Sequence, residues 1–202
     1  MQALRRTLIA LPLLLAALGA HAAAAVGQIA PDFTLQSTEG KPVRLSDLRG
    51  KYVVLEWTNP GCPFVRKHYD SGNMPATQKA ARAQGLAWLS INSTAKASGD
   101  YLEPARLAAW LAERKAQPTA ILMDEEGTMG HAYGARTTPH MYVIDPGGTL
   151  VYAGGIDSIP SARVADIERA TNYVKAALAD IAAQRPIAAA ATQPYGCSIK
   201  YK

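Results

Sequence analysis

The chain has 202 residues, of which 49% are hydrophobic and 18% charged, and this length and composition suit one globular domain with one core. Its formal net charge is +5, but its basic residues form no dense block, so the charge indicates a mildly basic solvated surface and argues against nucleic-acid binding. The two cysteines, Cys62 and Cys197, allow a single disulfide.

The first 22 residues have the three-part pattern of a secretory signal peptide. Arg5 and Arg6 give a basic start, residues 8–18 form an apolar run, and Ala20-His21-Ala22 offers small residues where a signal peptidase cuts. The run is shorter than the stretch of about 20 apolar residues that crosses a bilayer. We therefore expect residues 1–22 to be removed on export, which leaves a periplasmic or secreted protein without stable membrane insertion.

The next predicted elements lead to the first cysteine. Alternating segments at 32–35 and 42–45 predict a hairpin, and the apolar run 52–57 is typical of a buried central strand. Pro63 favours the first position of a helix, because its missing N–H would be unpaired there. Cys62 is therefore predicted to be the N-cap of a helix.

The second half of the chain continues the alternation of strands and helices. Gly72-Asn73 should interrupt the first helix. Further strands are predicted at 86–91, 120–124, 141–145 and 150–152, and further helices at 104–114, 128–133 and 161–184. The early alternation predicts a parallel centre of the sheet, and the late hairpin predicts an antiparallel edge. We expect the remainder, 186–202, to pack loosely on the domain.

Several short motifs resemble the thioredoxin superfamily. These are the strand that ends at Trp57, the turn Pro60-Gly61-Cys62-Pro63 and the triplet Thr137-Thr138-Pro139, whose proline is cis in that superfamily. The resemblance implies an α/β, thioredoxin-like three-layer fold, with a central mixed sheet flanked by helices. The implied organisation is a signal peptide at 1–22, the domain at 23–185 and a tail at 186–202 that carries Cys197.

Within the superfamily, the chain is similar to the peroxiredoxin-like branch, the alkyl hydroperoxide reductase/thiol-specific antioxidant or redoxin proteins. The segments Gly27–Phe33, Cys62–Val65 and Tyr195–Tyr201 carry this resemblance. It implies an antioxidant, thiol-dependent oxidoreductase that acts on a peroxide or on a protein disulfide and is reset by an external thiol reductant. No cofactor and no metal are expected.

The chain departs from the related patterns at three places near Cys62. Val65 stands where thioredoxin has its second cysteine, so no dithiol exchange can occur within the turn. Asn59 stands where typical peroxiredoxins have Thr or Ser, with Thr58 one residue earlier. Pro139 occupies the place of their arginine, and the nearest arginine is Arg136. The usual pair of peroxide-activating residues is therefore incomplete.

Cys62 is the candidate nucleophile. The unpaired N–H groups and partial positive charge of a helix N-terminus favour the thiolate, which is the reactive form. The alternative is an inert buried cysteine, which a turn flanked by proline and glycine disfavours. We expect Thr58 and Asn59 to donate hydrogen bonds to the substrate, and Pro139 to shape the groove beside the sulfur.

Cys197 has three possible roles. It can resolve a sulfenic acid or a mixed disulfide at Cys62, it can form a permanent disulfide with Cys62, or it can stay apart from it. A non-catalytic thioredoxin-fold module that binds a metal or a peptide is the alternative to an enzyme. His68 and His140 raise the question of a metal site, but we expect both to be ordinary, partly exposed residues.

Overall fold

The computed structural model describes residues 23–202, and the predicted signal peptide lies outside the described residues. The strands of this part of the chain are β1 (Thr34–Ser37), β2 (Pro42–Arg44), β3 (Val53–Trp57), β4 (Ala87–Asn92), β5 (Ala120–Met123), β6 (Thr137–Thr138), β7 (His140–Ile144), β8 (Leu150–Gly154) and β9 (Cys197–Ser198). The α-helices are α1 (Pro63–Asp70), α2 (Asn73–Ala83), α3 (Pro104–Glu113), α4 (Thr128–Tyr133) and α5 (Tyr173–Ala182). From residue 23 onward, every helix is too short or too polar to cross a membrane.

Seven strands form one mixed sheet in the order β2-β1-β5-β4-β3-β7-β8. The pairs β3–β4 and β4–β5 are parallel, whereas β7 is antiparallel to both β3 and β8. This arrangement confirms the predicted parallel centre and antiparallel edge. Every residue of β3 and β4 is buried. This agrees with the prediction that the apolar runs form buried central strands.

Apolar clusters lie on both faces of the sheet, which makes three layers. On one face, Trp88 and Val54 pack with side chains of α1, α2, α3 and α5. On the other face, Trp57 and Leu55 pack with Met129 and Tyr133 of α4. Because side chains alternate along a strand, neighbouring residues of β3 contribute to opposite clusters. The predicted thioredoxin-like layering is confirmed.

The predicted continuous helix at 161–184 is wrong. A 3-10 helix spans Val164–Arg169, and α5 begins only at Tyr173. Asn172 separates the two, since its side-chain oxygen accepts a hydrogen bond from the Lys175 amide at 2.9 Å and caps α5. Val164, the first residue of the 3-10 helix, is 50% exposed. The alanine-rich pattern fits a helix throughout and hides this cap.

The expectation of a loosely packed tail is also wrong. The Thr192 amide donates to the Ala153 carbonyl, β9 pairs with β6, and the Ala95 amide donates to the Lys200 carbonyl. At Gly154, a Cβ atom would lie 2.1 Å from the Thr192 hydroxyl and 2.6 Å from its carbonyl oxygen. The missing side chain of Gly154 therefore lets the tail backbone lie directly against the end of β8.

Candidate active site

The turn after β3 presents Cys62 at the first turn of α1. The Cys62 amide donates to the Asn59 carbonyl at 3.0 Å, and the Gly61 amide donates to Asn59 Oδ1 at 2.7 Å. The amide group of Asn59 also donates to Thr94 Oγ1 at 2.9 Å, which ties the turn to the loop after β4. Cys62 is the N-cap residue of α1 and Pro63 the first helical residue, as predicted.

The sulfur of Cys62 is enclosed, since the residue is only 2% exposed. Its thiol donates to the Thr138 carbonyl oxygen, with 3.1 Å between the sulfur and the oxygen. The peptide bond from Thr138 to Pro139 is cis, as the resemblance implied. Because proline has no N–H, the buried Pro139 brings no amide donor to this wall of the site.

Cys197 lies across the same carbonyl group. In the β6–β9 pair, Cys197 is the partner of Thr138, whose carbonyl oxygen accepts from the Cys62 thiol. Burial raises the pKa of Cys197 to about 12, and the nearby Cys62 side chain adds to this shift. Both cysteines are free thiols. The structure therefore brings the two cysteines together from distant parts of the chain.

Thr58 and Asn59, the two polar residues before Cys62, differ in the hydrogen bonds that their side chains make. Asn59 uses its Oδ1 and one of the two N–H groups on Nδ2 to hold Gly61 and Thr94, so its side chain is fixed between the turn and the loop after β4. Thr58 is 1% exposed, and within residues 23–202 its hydroxyl is the buried side-chain polar atom without a hydrogen-bond partner. Of the two predicted donors, Thr58 is therefore the one whose side-chain polar atom has no partner among the described residues.

The arginines near the site point elsewhere. Arg136 is exposed, and Arg66 donates through Nε to the Pro60 carbonyl at 2.7 Å. Among the described residues, no arginine is hydrogen-bonded to the sulfur of Cys62 or Cys197. The departure from the peroxiredoxin pattern seen in the sequence is therefore also a departure in geometry.

Both histidines are buried, so the expectation that they are partly exposed is wrong. Burial lowers the pKa of His68 to about 4 and that of His140 to about 3. His140 Nδ1 lies 3.2 Å from the Tyr142 hydroxyl. Within the part of the chain that the structure describes, no cluster of three or more His, Cys, Asp or Glu side chains is placed to hold a metal ion.

A buried carboxyl group behind the site escaped the sequence analysis. Glu56 is fully buried and accepts hydrogen bonds from Tyr69 at 2.6 Å, Gln78 at 3.1 Å, Trp88 at 2.8 Å and Ser90 at 2.9 Å. Burial raises the pKa of Glu56, and these hydrogen bonds oppose that shift. The sequence did contain a signal that could have identified Glu56, because it is a single Glu inside an otherwise apolar strand.

A cleft of about 450 Å³ opens beside the turn. Its lining includes Pro60 and Gly61 from the turn, Arg66 from α1, and Asp100 and Arg106 from the opposite wall. The charge of Asp100 contributes to the raised pKa of Cys197, which places this wall within electrostatic reach of the sulfurs. The cleft therefore offers a substrate a route towards the turn.

The chain is similar to known proteins in sequence and in structure. Residues 26–153 match the AhpC/TSA family. Over 161 residues, the chain is 34% identical to the thiol-disulfide oxidoreductase ResA of Geobacillus thermodenitrificans, covering 72% of this chain and 82% of that protein. It is similar to the crystal structure of an uncharacterized conserved protein from Geobacillus kaustophilus, with a TM-score of 0.72, 27% identity and coverage of 88% and 93% of the two chains. A thiol:disulfide interchange protein from Bacteroides sp. has a TM-score of 0.51 and 25% identity, covering 64% of this chain and 81% of that one.

Proposed function

The chain belongs to the AhpC/TSA family, and from this premise we propose that it is an oxidoreductase that reduces disulfides through Cys62 and Cys197. The observation that carries the proposal is that both cysteines meet at Thr138, because the Cys62 thiol at the N-terminus of α1 donates to the Thr138 carbonyl and Cys197 is the strand partner of Thr138. A relative that matches 72% of this chain is named a thiol-disulfide oxidoreductase, which supports the same chemistry. Protein disulfides are the proposed substrates.

The reaction has two exchange steps. The Cys62 thiolate attacks one sulfur of the substrate disulfide, which forms a mixed disulfide and releases the other substrate sulfur as a thiolate. The Cys197 thiolate then attacks the Cys62 sulfur and releases the remaining substrate thiolate. The substrate has gained two electrons and the protein has become a Cys62–Cys197 disulfide. An external dithiol reduces this disulfide and restores both thiols.

The electrostatics of the pair favour this order of steps. Burial, with a further contribution from Cys62, raises the pKa of Cys197, so Cys197 keeps its proton in the resting pair. Once Cys62 is bound to substrate, its contribution is gone and the pKa of Cys197 falls, although burial continues to raise it. Cys197 therefore becomes a better nucleophile only after the first step has occurred.

Trapping the mixed disulfide tests the proposal. Reduced wild-type protein, Cys62→Ser and Cys197→Ser are each mixed with a limiting disulfide-bonded peptide, quenched in acid and analysed by mass spectrometry. We expect a Cys62–Cys197 disulfide in wild type, a stable peptide adduct on Cys62 in Cys197→Ser, and no adduct in Cys62→Ser. Turnover by Cys197→Ser at the wild-type rate with a monothiol reductant would show that Cys197 does not resolve.

Peroxide reduction is a second candidate, favoured by the unpartnered hydroxyl of Thr58 and by the family. Here Cys62 attacks a peroxide oxygen, which gives a sulfenic acid and an alcohol or water. Cys197 then condenses with the sulfenic acid, which gives the same disulfide and a water molecule. Exposure of Cys197→Ser to limiting hydrogen peroxide and a sulfenic-acid reagent tests it. Second-order rates of wild type with peroxide and with peptide disulfide, measured side by side, decide between the two.

We also propose export, which the N-terminal pattern supports. Expression with and without residues 1–22 in a Gram-negative host, followed by fractionation and mass measurement of the mature chain, tests it. We expect a shortened protein in the periplasmic fraction only when residues 1–22 are present. A full-length chain that stays in the cytoplasm would contradict the proposal.

A further inference from the structure

A buried ion pair of the domain lies beneath the tail. The tail residue above it is Tyr195, two residues before Cys197. Lys67 of α1 has no exposed side-chain surface, and its ammonium group lies 3.2 Å from Asp157 Oδ2. The ammonium group also donates to the Ile159 carbonyl and to the Tyr195 hydroxyl, both at 3.3 Å. Tyr195 in turn donates its hydroxyl proton to Asp157 Oδ1. A residue of the tail thus completes an ion pair that belongs to the domain.

His68 completes the same cluster. Its Nδ1 accepts a hydrogen bond from the Asn73 side-chain amide at 2.8 Å, so its proton resides on Nε2, which lies 3.2 Å from the Tyr195 hydroxyl. The Tyr195 hydroxyl therefore donates one hydrogen bond and accepts two, which uses its full capacity. Each of the three protons on Lys67 also has an acceptor. Removal of this one oxygen leaves Lys67, His68 and Asp157 each short of a partner, which is costly for buried groups.

The tail that Tyr195 anchors also encloses the nucleophile. Cys62 is 2% exposed, and Cys197 and Tyr195 pack against the apolar cluster that contains it. Gly196, between them, has φ +135°, and a Cβ atom there would lie 2.0 Å from the Thr138 carbonyl oxygen. Tyr195 and Gly196 thus bring the tail into contact with the wall of the site. The tail therefore lies against the same Thr138 carbonyl that the Cys62 thiol contacts.

We propose that Tyr195 is a positioning residue, whose hydroxyl, seated between Lys67, Asp157 and His68, holds the tail closed so that Cys197 stays against Cys62. The role of Cys197 in this statement rests on the proposed function. Closure of the tail has two opposite consequences. It raises the effective concentration of Cys197 at Cys62, and it lowers access of external reagents to Cys62. One closing equilibrium governs both quantities, because access follows the open fraction and the effective concentration follows the closed fraction, so a change in closure moves them in opposite directions.

Tyr195→Phe removes only the hydroxyl and tests this coupling. In a Cys197→Ser background, the rate of Cys62 alkylation by N-ethylmaleimide reports access to the nucleophile. With both cysteines present, a glutathione redox titration reports the effective concentration of the pair. For Tyr195→Phe we expect alkylation about tenfold faster, equivalent to about 1.4 kcal/mol in the closing equilibrium, and an effective concentration that falls by a smaller factor while the closed tail still predominates.

Tyr52→Phe is the matched control, because the Tyr52 hydroxyl makes no hydrogen bond to another described residue. We expect it to change neither quantity by more than about twofold. Circular dichroism and urea unfolding show whether each variant is folded under the assay conditions. Unchanged alkylation of a folded Tyr195→Phe, or changes of both quantities in the same direction, would overturn the positioning role. If wild type forms no Cys62–Cys197 disulfide, the proposed function fails, while the alkylation rates still decide whether Tyr195 closes the tail.

Discussion

The turn that carries Cys62 and the tail that carries Cys197 meet at one carbonyl group, that of Thr138. The turn is held mainly by contacts close in sequence, with Asn59 bound to the amides of Gly61 and Cys62 and to one residue of the next loop. The tail is held almost entirely by residues far from it in sequence. Its partners come from α1, the end of β8, β6 and the loop after β4.

Because of this difference, the positions of the two cysteines depend on different parts of the fold. Cys62 acquires its position as soon as β3 and α1 are formed, because both flank the turn directly. Cys197 acquires its position only when several separate elements are in place to receive the tail. We therefore expect perturbations of the tail to uncouple the pair while Cys62 stays at its helix terminus, and perturbations of the turn to affect Cys62 itself.

Acid should produce the largest effect, and it acts on both regions. His68 lies under the tail and His140 follows Pro139, and their pKa values are lowered from 6.5 to about 4 and about 3. Between pH 6.5 and 4 the unfolded chain binds protons that the folded protein excludes. The free energy of unfolding therefore falls as the pH falls, by roughly 3 kcal/mol for each histidine at pH 4.

Urea unfolding at pH 7, 5.5 and 4 measures this loss. His68→Gln and His140→Gln should each reduce the dependence on pH by about one proton, or about 1.4 kcal/mol per pH unit. A pH dependence that neither substitution changes would mean that the two rings are accessible to solvent. A change with His68→Gln alone would place the acid sensitivity in the tail region.

Gly196→Ala should uncouple the tail from the turn. A methyl group there meets the Thr138 carbonyl oxygen at 2.0 Å, and the positive φ disfavours alanine, so we expect a loss of about 1–3 kcal/mol. Formation of the Cys62–Cys197 disulfide should fall about tenfold or more, as measured by the glutathione titration. Gly99→Ala is the control, since a Cβ there meets no atom within 4 Å. Unchanged pairing in Gly196→Ala would show that the tail approaches Cys62 by another path.

Asn59→Ala should affect the turn and leave the tail in place. It removes the acceptor of the Gly61 amide and the donor to Thr94, with an expected loss of about 1–2 kcal/mol. We expect slower alkylation of Cys62 in a Cys197→Ser background, because the amides at the helix terminus are less well ordered. Asn59→Asp retains the acceptor and should recover part of the rate. A wild-type rate in Asn59→Ala would mean that α1 alone positions the sulfur.

The same difference explains what the sequence could predict. Pro63 after Cys62 is a local signal, so the N-cap position was readable from adjacent residues. Lys67 and Asp157 are among the partners of Tyr195, and no periodicity relates residues so far apart. Their burial runs against the usual exposure of charged residues. The docking of the tail therefore required the fold itself.

Thr58→Val should have the smallest effect on stability and bears directly on chemistry at the turn. The Thr58 hydroxyl is buried without a partner among the described residues, so a methyl group of the same shape removes a polar atom that nothing compensates. We expect the free energy of unfolding to rise by up to about 1 kcal/mol in urea denaturation. Thr77→Val is the matched control, because the equally buried Thr77 hydroxyl donates to the Asn73 carbonyl at 2.8 Å and its loss should destabilise.

Turnover measurements distinguish a Thr58 hydroxyl that donates to the substrate from one that has only a structural role. If the Thr58 hydroxyl donates to the substrate, Thr58→Val loses activity while it gains stability, a combination that a purely structural residue does not produce. The loss should be larger with peroxide than with a peptide disulfide, because oxygen is the stronger hydrogen-bond acceptor. If Thr58→Val is as active as wild type with both substrates, the hydroxyl serves neither reaction. The helix terminus at Cys62 is then the main polar contribution of the turn.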